Sequence, residues 1–215
     1  MPQNISHAVM NQRHEAHDSL DDFPTPPWAV RALCEYVLPT KVLKSLTCWE
    51  PACNRGYMAR PLREYFHEVL ATDIHNYGWD GQERVADFLF ERPQADSHDV
   101  NAIITNPPFR LAAQFAFHAL TVWKPDISAL LVRTNFLEGK ERFETLFTPH
   151  PPATVAQFVE RVPMVKGRYD QDASTATSYA WIVWKRGWSS GTKFQWIPPC
   201  RRQLQKASDS QPTMT

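Results

Sequence analysis

Ala102-Ile103-Ile104-Thr105-Asn106-Pro107-Pro108-Phe109 is the stretch on which the fold turns, because an apolar run ends abruptly in two prolines. The first four residues read as a short buried strand. Proline fixes φ, has no N–H and pushes the residue before it into an extended conformation, so Pro107-Pro108 continues neither a ladder nor a helix. The carbonyls of Asn106 and Pro107 are left to accept from elsewhere. In an open α/β sheet Asn106 stands at the carboxyl end of its strand, where such sheets bind ligands. The Asn106 side-chain oxygen and the Pro107 carbonyl can hold both hydrogens of an amino group conjugated to an aromatic ring, with Phe109 stacked on that ring. Pro-Pro after a strand also serves as a plain terminator, so the rest of the chain decides.

Working outward, residues 46–49, 68–73 and 127–133 read as strands, and residues 29–38, 57–66 and 111–123 as helices. In the last helix Phe115, Ala119, Leu120 and Trp123 recur at helical spacing. This βαβ rhythm predicts a mainly parallel sheet. Residues 154–159 and 179–185 form two further strand-like runs, joined by a long loop rather than a crossover helix. Parallel neighbours need a long, usually helical crossover, so these two are expected to pair antiparallel.

The chain has 215 residues, 43% of them hydrophobic, enough for one domain, expected over 23–200, between mobile polar tails at 1–22 and 201–215. There is no apolar leader and no run of eighteen apolar residues, which points to a cytoplasmic protein without a membrane span. Cys34, Cys48, Cys53 and Cys200 lack Cys-x-x-Cys spacing and read as reduced, mostly buried thiols. His14 and His17 lack the spacing of a metal motif, and no metal is expected. Net charge is zero but uneven: residues 1–100 carry 15 acidic and 9 basic side chains, residues 161–206 carry 2 and 9. Arg161, Lys166, Arg168, Lys185, Arg186, Lys193, Arg201 and Arg202, interleaved with Tyr169, Tyr179, Trp181, Trp184, Trp188 and Trp196, form either a nucleic-acid face or a scattered solvated surface.

Four further segments accompany the clamp in order. Asp22-Phe23-Pro24-Thr25-Pro26-Pro27-Trp28 precedes the first helix. Glu50-Pro51-Ala52-Cys53-Asn54-Arg55-Gly56 follows the first strand. Thr72-Asp73-Ile74 ends the second strand, and Asp87-Phe88 comes next. With Asn106-Pro107-Pro108-Phe109 this series resembles the S-adenosylmethionine-dependent amino-methyltransferases, above all the DNA adenine-N6 methyltransferases, whose signature is Asp/Asn/Ser-Pro-Pro-aromatic. The resemblance covers about residues 22–186. It implies an α/β, Rossmann-like class I methyltransferase fold: a mostly parallel seven-stranded sheet with an antiparallel last strand and helices on both faces.

The resemblance also implies a cofactor site. Thr25 and Pro26 fold over the methionine end, while Glu50, Pro51 and Ala52 begin the loop that takes its ammonium. Gly56 permits close backbone approach ahead of a helix. Asp73 accepts from the ribose hydroxyls, Ile74 packs on adenine, Asp87 accepts from the adenine amine and Phe88 covers the ring. Thr25 also reads as a helix cap, and Asp87-Phe88 also reads as a cap beside a core residue. The first glycine of the family's loop is Asn54 here, the side chain that best tolerates a left-handed backbone.

The implied reaction is methylation of the exocyclic N6 amine of adenine in DNA, with Asn106, Pro107, Pro108 and Phe109 as catalytic residues. The same clamp also serves enzymes acting on RNA bases and protein glutamine amides, and a non-catalytic, methyltransferase-like nucleic-acid binder is a further reading. Residues 133–140 and 166–170 read either as cleft lining or as turns with solvated charges, outside the site set. Few residues remain beyond Lys185, so sequence selectivity is expected to be short or absent, in a monomer or homodimer.

Overall fold

The computed structural model describes residues 21–94 and 99–210. His14, His17 and all but the last two residues of the expected 1–22 tail lie outside the described residues, as do residues 211–215.

Eight strands form one sheet: β1 (Thr47–Glu50), β2 (Glu68–Asp73), β3 (Arg84–Val85), β4 (Ala102–Thr105), β5 (Ile127–Arg133), β6 (Thr154–Phe158), β7 (Tyr179–Lys185) and β8 (Lys193–Ile197). Their spatial order is β3-β2-β1-β4-β5-β7-β6-β8. Every pairing is parallel except those of β7, which runs antiparallel to both β5 and β6. The 154–159 and 179–185 pairing is thus antiparallel, as the missing crossover helix required. The expected count of seven strands with the reversed one last needs correction. Among the described residues there are eight strands, the reversed one is the seventh, and β8 follows it, parallel to β6. β8 escapes a pattern reading because its two aromatic positions, Phe194 and Trp196, point to solvent at the sheet edge. β3 contributes only two residues.

The helices are short: α1 (Pro27–Tyr36), α2 (Thr40–Leu43), α3 (Ala59–Leu62), α4 (Ala112–His118), α5 (Lys140–Arg142) and α6 (Arg201–Leu204). α3 is a single turn where a longer helix was expected; Pro61 lacks an N–H and is tolerated only in a first turn. α4 continues as a π-helical turn over Ala119–Trp123, stopped by Lys124 in a left-handed conformation.

Strand residues alternate between two cores, as the period of two demands. Cys48, Ala102, Ile104, Leu131 and Trp181 face Trp28, Leu33 and Leu62 of α1 and α3. Trp49, Ile103, Leu130 and Ile182 face Phe115 and Ala116 of α4. Helices therefore cover both faces, and the Trp181 indole N–H donates to the Ala29 carbonyl (3.1 Å), tying α1 to the sheet. Residues 201–210, expected to be part of a tail, are built onto this core: α6 and a 3-10 turn at Ala207–Ser210 bring Asp209 into a buried pair with Arg31. Among the described residues no helix is long and apolar enough to cross a membrane.

Candidate functional site

From β1 the chain builds β2 and β3 to one side, then returns to lay β4 on the other. The crevice outside the carboxyl ends of β1 and β4 is the topological switch point, the place where open α/β sheets take ligands. Glu50 ends β1, and Asn106 follows β4 directly. Between them opens a cleft with about 820 Å³ of empty space, its solvent-open mouth included.

Glu50 is fully buried. Its Oε1 accepts the Ala52 N–H (3.1 Å), whereas Oε2 has no partner among the described residues. Burial pushes the carboxyl up to about 8, with the help of nearby Asp73 and against the pull of the neighbouring Thr105 hydroxyl first and the Ala52 N–H second. A buried carboxyl with an unused oxygen suits a cationic ligand.

The loop after Glu50 is pinned to β2 through the Cys53 N–H, which donates to the Thr72 carbonyl (2.9 Å). Asn54 adopts φ 50°, the left-handed conformation that the family's glycine would take. Gly56 has φ 77°, and a Cβ there would lie 2.4 Å from the Trp79 indole. The close approach that requires this glycine is therefore made by Trp79 rather than by the cleft. Asp73 accepts the Asn54 N–H (2.9 Å) through Oδ2 and the His75 N–H (3.0 Å) through Oδ1. Each oxygen keeps a lone pair, and burial holds the carboxyl above the usual carboxylate range. Ile74, 61% exposed, forms an apolar rim.

Asp87 accepts the Leu89 N–H (3.0 Å) and so caps a turn, while Phe88 is buried between Trp49 (5.1 Å between rings) and Phe115 (4.9 Å). Both also line the cleft, so the capping, core and lining descriptions hold together. Thr25 is buried on the cleft wall but caps nothing; α1 starts from Pro26 with no side-chain cap.

At the clamp, the Asn106 side-chain NH₂ donates to the Phe23 carbonyl (3.1 Å) and approaches the Met164 sulfur (3.7 Å). That fixes the carboxamide and leaves Oδ1 buried without a partner among the described residues. Pro108 lines the cleft beside it. Pro26, Gly56, Pro107 and Phe109 stand behind the wall, while every other expected site residue lies on it. The Phe109 N–H donates to the Asp21 carboxylate. Its ring packs 5.1 Å from the Phe23 ring, and the Arg133 guanidinium sits over it at 3.9 Å. One face expected to receive a target ring thus carries a guanidinium in this structure.

Several participants stood outside the expected site set. Asp21, Phe23, Tyr57, Tyr77 and Leu111 line the cleft, and Arg133 reaches the clamp from the end of β5. Phe23 belongs to the 22–28 segment and Arg133 to the 133–140 stretch read as cleft lining or turn, whereas Asp21, Tyr57, Tyr77 and Leu111 carried no site signal.

The basic C-terminal part does not make one face. Trp181, Trp184 and Tyr179 are core residues. Arg161, bonded to the Ala176 carbonyl and Ser178, belongs to the cleft end of the sheet, whereas Lys185 lies opposite Ile127 at the far end. Because β7 runs backwards, cations at its two ends are separated by its full length.

Among solved structures this architecture recurs. A candidate RNA methyltransferase from Pyrococcus horikoshii matches with a TM-score of 0.54 and 10% identity, over 73% of this chain and 83% of its own. The methyltransferase subunit of a type I restriction-modification system from Streptococcus thermophilus gives 0.51 and 10%, over 88% and 50%. A candidate hemolysin from Lactococcus lactis gives 0.52 and 14%, over 86% and 93%. The chain spans about half the length of the restriction-modification subunit. No family model and no curated protein matches the sequence. The fold is that of Rossmann-like class I methyltransferases, and a fold by itself does not choose a substrate.

Proposed function

We propose that this chain is an S-adenosylmethionine-dependent methyltransferase acting on the exocyclic N6 amine of adenine in DNA, with little or short sequence specificity. The observation that carries the reading is the buried Oδ1 of Asn106, unpartnered among the described residues, in a carboxamide whose NH₂ donates to the Phe23 carbonyl at the edge of the cleft.

The residues present fit the cofactor. The unused Glu50 oxygen takes an ammonium, Asp73 takes ribose hydroxyls, and Ile74 and Phe88 offer apolar surface to adenine. When bound, the cofactor supplies a methyl group on a positively charged sulfur. The remaining work is positioning. Asn106 Oδ1 accepts one hydrogen of the target amine and the Pro107 carbonyl, once turned out from behind the cleft wall, the other, which draws the nitrogen lone pair out of the ring and aims it. No dedicated general base is required; orientation and fixed dipoles supply the rate. Adenine must leave its stack to reach the clamp, and Phe109 becomes available to it once the Arg133 guanidinium yields that face.

DNA is favoured over RNA by Phe109 and by the motif order. Asn54, which departs from the glycine of the resembled loop, keeps the left-handed conformation, and this disfavours a binder without catalysis.

The test is transfer of radiolabelled methyl to unmethylated double-stranded DNA, RNA and protein in parallel. The expected product is N6-methyladenine from DNA, with Asn106→Ala reducing transfer at least ~100-fold while cofactor affinity is kept. Label in RNA or in glutamine would reassign the substrate; no label in any of them would leave a non-catalytic binder.

A further inference from the structure

We infer that Asn54 and Asp22 form a latch that holds the 21–23 segment against the Asn106 clamp, making Asn54 a positioning residue. The inference rests on the methyl-transfer reading above.

The segment touches the clamp at two points and the 166–170 stretch at a third. The Asp21 carboxylate accepts the Phe109 N–H, and the Phe23 carbonyl accepts from the Asn106 side chain (3.1 Å). The Asp22 carbonyl accepts the Gly167 N–H (2.8 Å). Phe23 is thus the residue that tells the Asn106 carboxamide which of its ends faces the cleft, and its own position depends on Asp22 next door.

Asp22 is buried, and its carboxylate is held from the cofactor loop. The Asn54 side-chain NH₂ donates to Oδ1 (2.7 Å), and Arg55 donates to both oxygens (2.8 and 2.9 Å). The Asn54 Oδ1 in turn accepts from the Arg55 backbone N–H (2.7 Å) and lies 3.3 Å from its guanidinium, so Asn54 also places the second donor. The same residue's backbone N–H donates to Asp73 (2.9 Å). A continuous set of bonds therefore runs from Asp73, through Asn54 and Asp22, to Asn106 and Phe109. A glycine at position 54 would satisfy the left-handed φ equally well but would have nothing to offer Asp22. The departure from the family's loop has a use: it fastens the substrate clamp to the cofactor loop.

The decisive variant is Asn54→Gly, which restores the family residue without backbone strain. The latch predicts an unchanged cofactor Kd by calorimetry and a kcat lowered about tenfold, the scale of one hydrogen bond to a charged group. Asp22→Ala should lower kcat at least as much, and the double variant should be no worse than Asp22→Ala, because both changes break one connection. A kcat that holds or rises in Asn54→Gly would overturn the latch, and so would loss of cofactor affinity in parallel with kcat.

Amide hydrogen exchange without cofactor supplies a readout independent of activity. The Phe109 and Gly167 N–H groups, both bonded to the segment, should exchange faster in Asn54→Gly; unchanged exchange at both refutes the latch. A wild-type protein inactive on every substrate, with exchange nonetheless accelerated by the variant, would remove the transfer reading and leave the latch standing.

Discussion

In its proposed role, Glu50 is a residue that trades stability for binding. Its carboxyl ordinarily ionises near 4.5, and burial raises it to about 8 in the folded protein. Between those values the folded chain holds a proton that the unfolded chain has released. The stability associated with that proton is complete below about pH 4.5 and is lost as pH rises through about 8. Glu50→Gln stays neutral throughout. Without cofactor, the urea midpoint of the variant should therefore exceed that of the wild type at pH 8 and match it at pH 4. Cofactor binding should behave oppositely, because an ammonium needs the ionised carboxylate. Near pH 7, calorimetry in buffers of different ionisation enthalpy should register proton release on binding, absent in Glu50→Gln, whose affinity should be about 10- to 100-fold weaker. Equal proton release by both proteins would disprove the assignment. Glu50, Asp73 and Asn106 were legible in the sequence because each sits at the end of a strand that its own apolar neighbours announce. Arg133 over Phe109 was not: it depends on β4 and β5 being neighbours, and no local pattern says which side chain reaches across.

Among elements, the loop between β1 and α3 is the most constrained. Gly56 combines φ 77° with the Trp79 indole 2.4 Å from where a Cβ would stand, and the Cys53 carbonyl accepts its N–H (2.8 Å). Gly56→Ala should lower stability by about 1–3 kcal/mol, from backbone strain and overpacking together. Adding Trp79→Ala would remove the clash but not the strain, so part of the loss should persist in urea denaturation relative to Trp79→Ala alone. Full recovery in that comparison would mean that the backbone conformation costs nothing. The glycine was recognisable from the motif, but its reason was not, since Trp79 is twenty-three residues away and packs there only after β2 has been laid beside β1. The same distinction separates the strands. β4 and β5 are buried on both faces and read as continuous apolar runs. β6 and β7 were also legible as strand-like runs, and the missing crossover helix between them gave their antiparallel pairing. β3 and β8 are edge strands, short or outward-facing, and edges lack the burial pattern that sequence reading detects.

At the scale of the whole molecule, the C-terminal segment closes the fold through charge. The Arg31 guanidinium on α1 donates to both oxygens of Asp209 (2.8 Å each), with both side chains only 4% exposed. Arg31 also donates to Glu64 beyond α3 and to the Leu204 carbonyl at the end of α6. One side chain thus gathers three segments that are distant in sequence, and for that reason residues 201–210 read from sequence as a polar tail: their partner is 178 positions away. Removing one member of a buried pair strands the other charge, which typically costs 3–5 kcal/mol; replacing both by apolar groups costs far less. Glu64 and the Leu204 carbonyl still hold Arg31 after Asp209→Ala, so the loss should fall near the lower figure, about 3 kcal/mol. The double variant Arg31→Met with Asp209→Ala should recover part of it. Lys206, whose ammonium reaches Glu64 at 2.7 Å in a half-exposed setting, should matter little: Lys206→Ala is expected to change stability by less than about 1 kcal/mol. Neither Arg31 nor Asp209 lines the cleft, so Asp209→Ala should leave cofactor affinity unchanged wherever the protein is folded. Urea denaturation and calorimetry on the same samples separate the two. A stability loss under 1 kcal/mol would mean that the segment contributes nothing to the fold, and a parallel fall in affinity would mean that α1 transmits the damage to the 21–25 segment it adjoins.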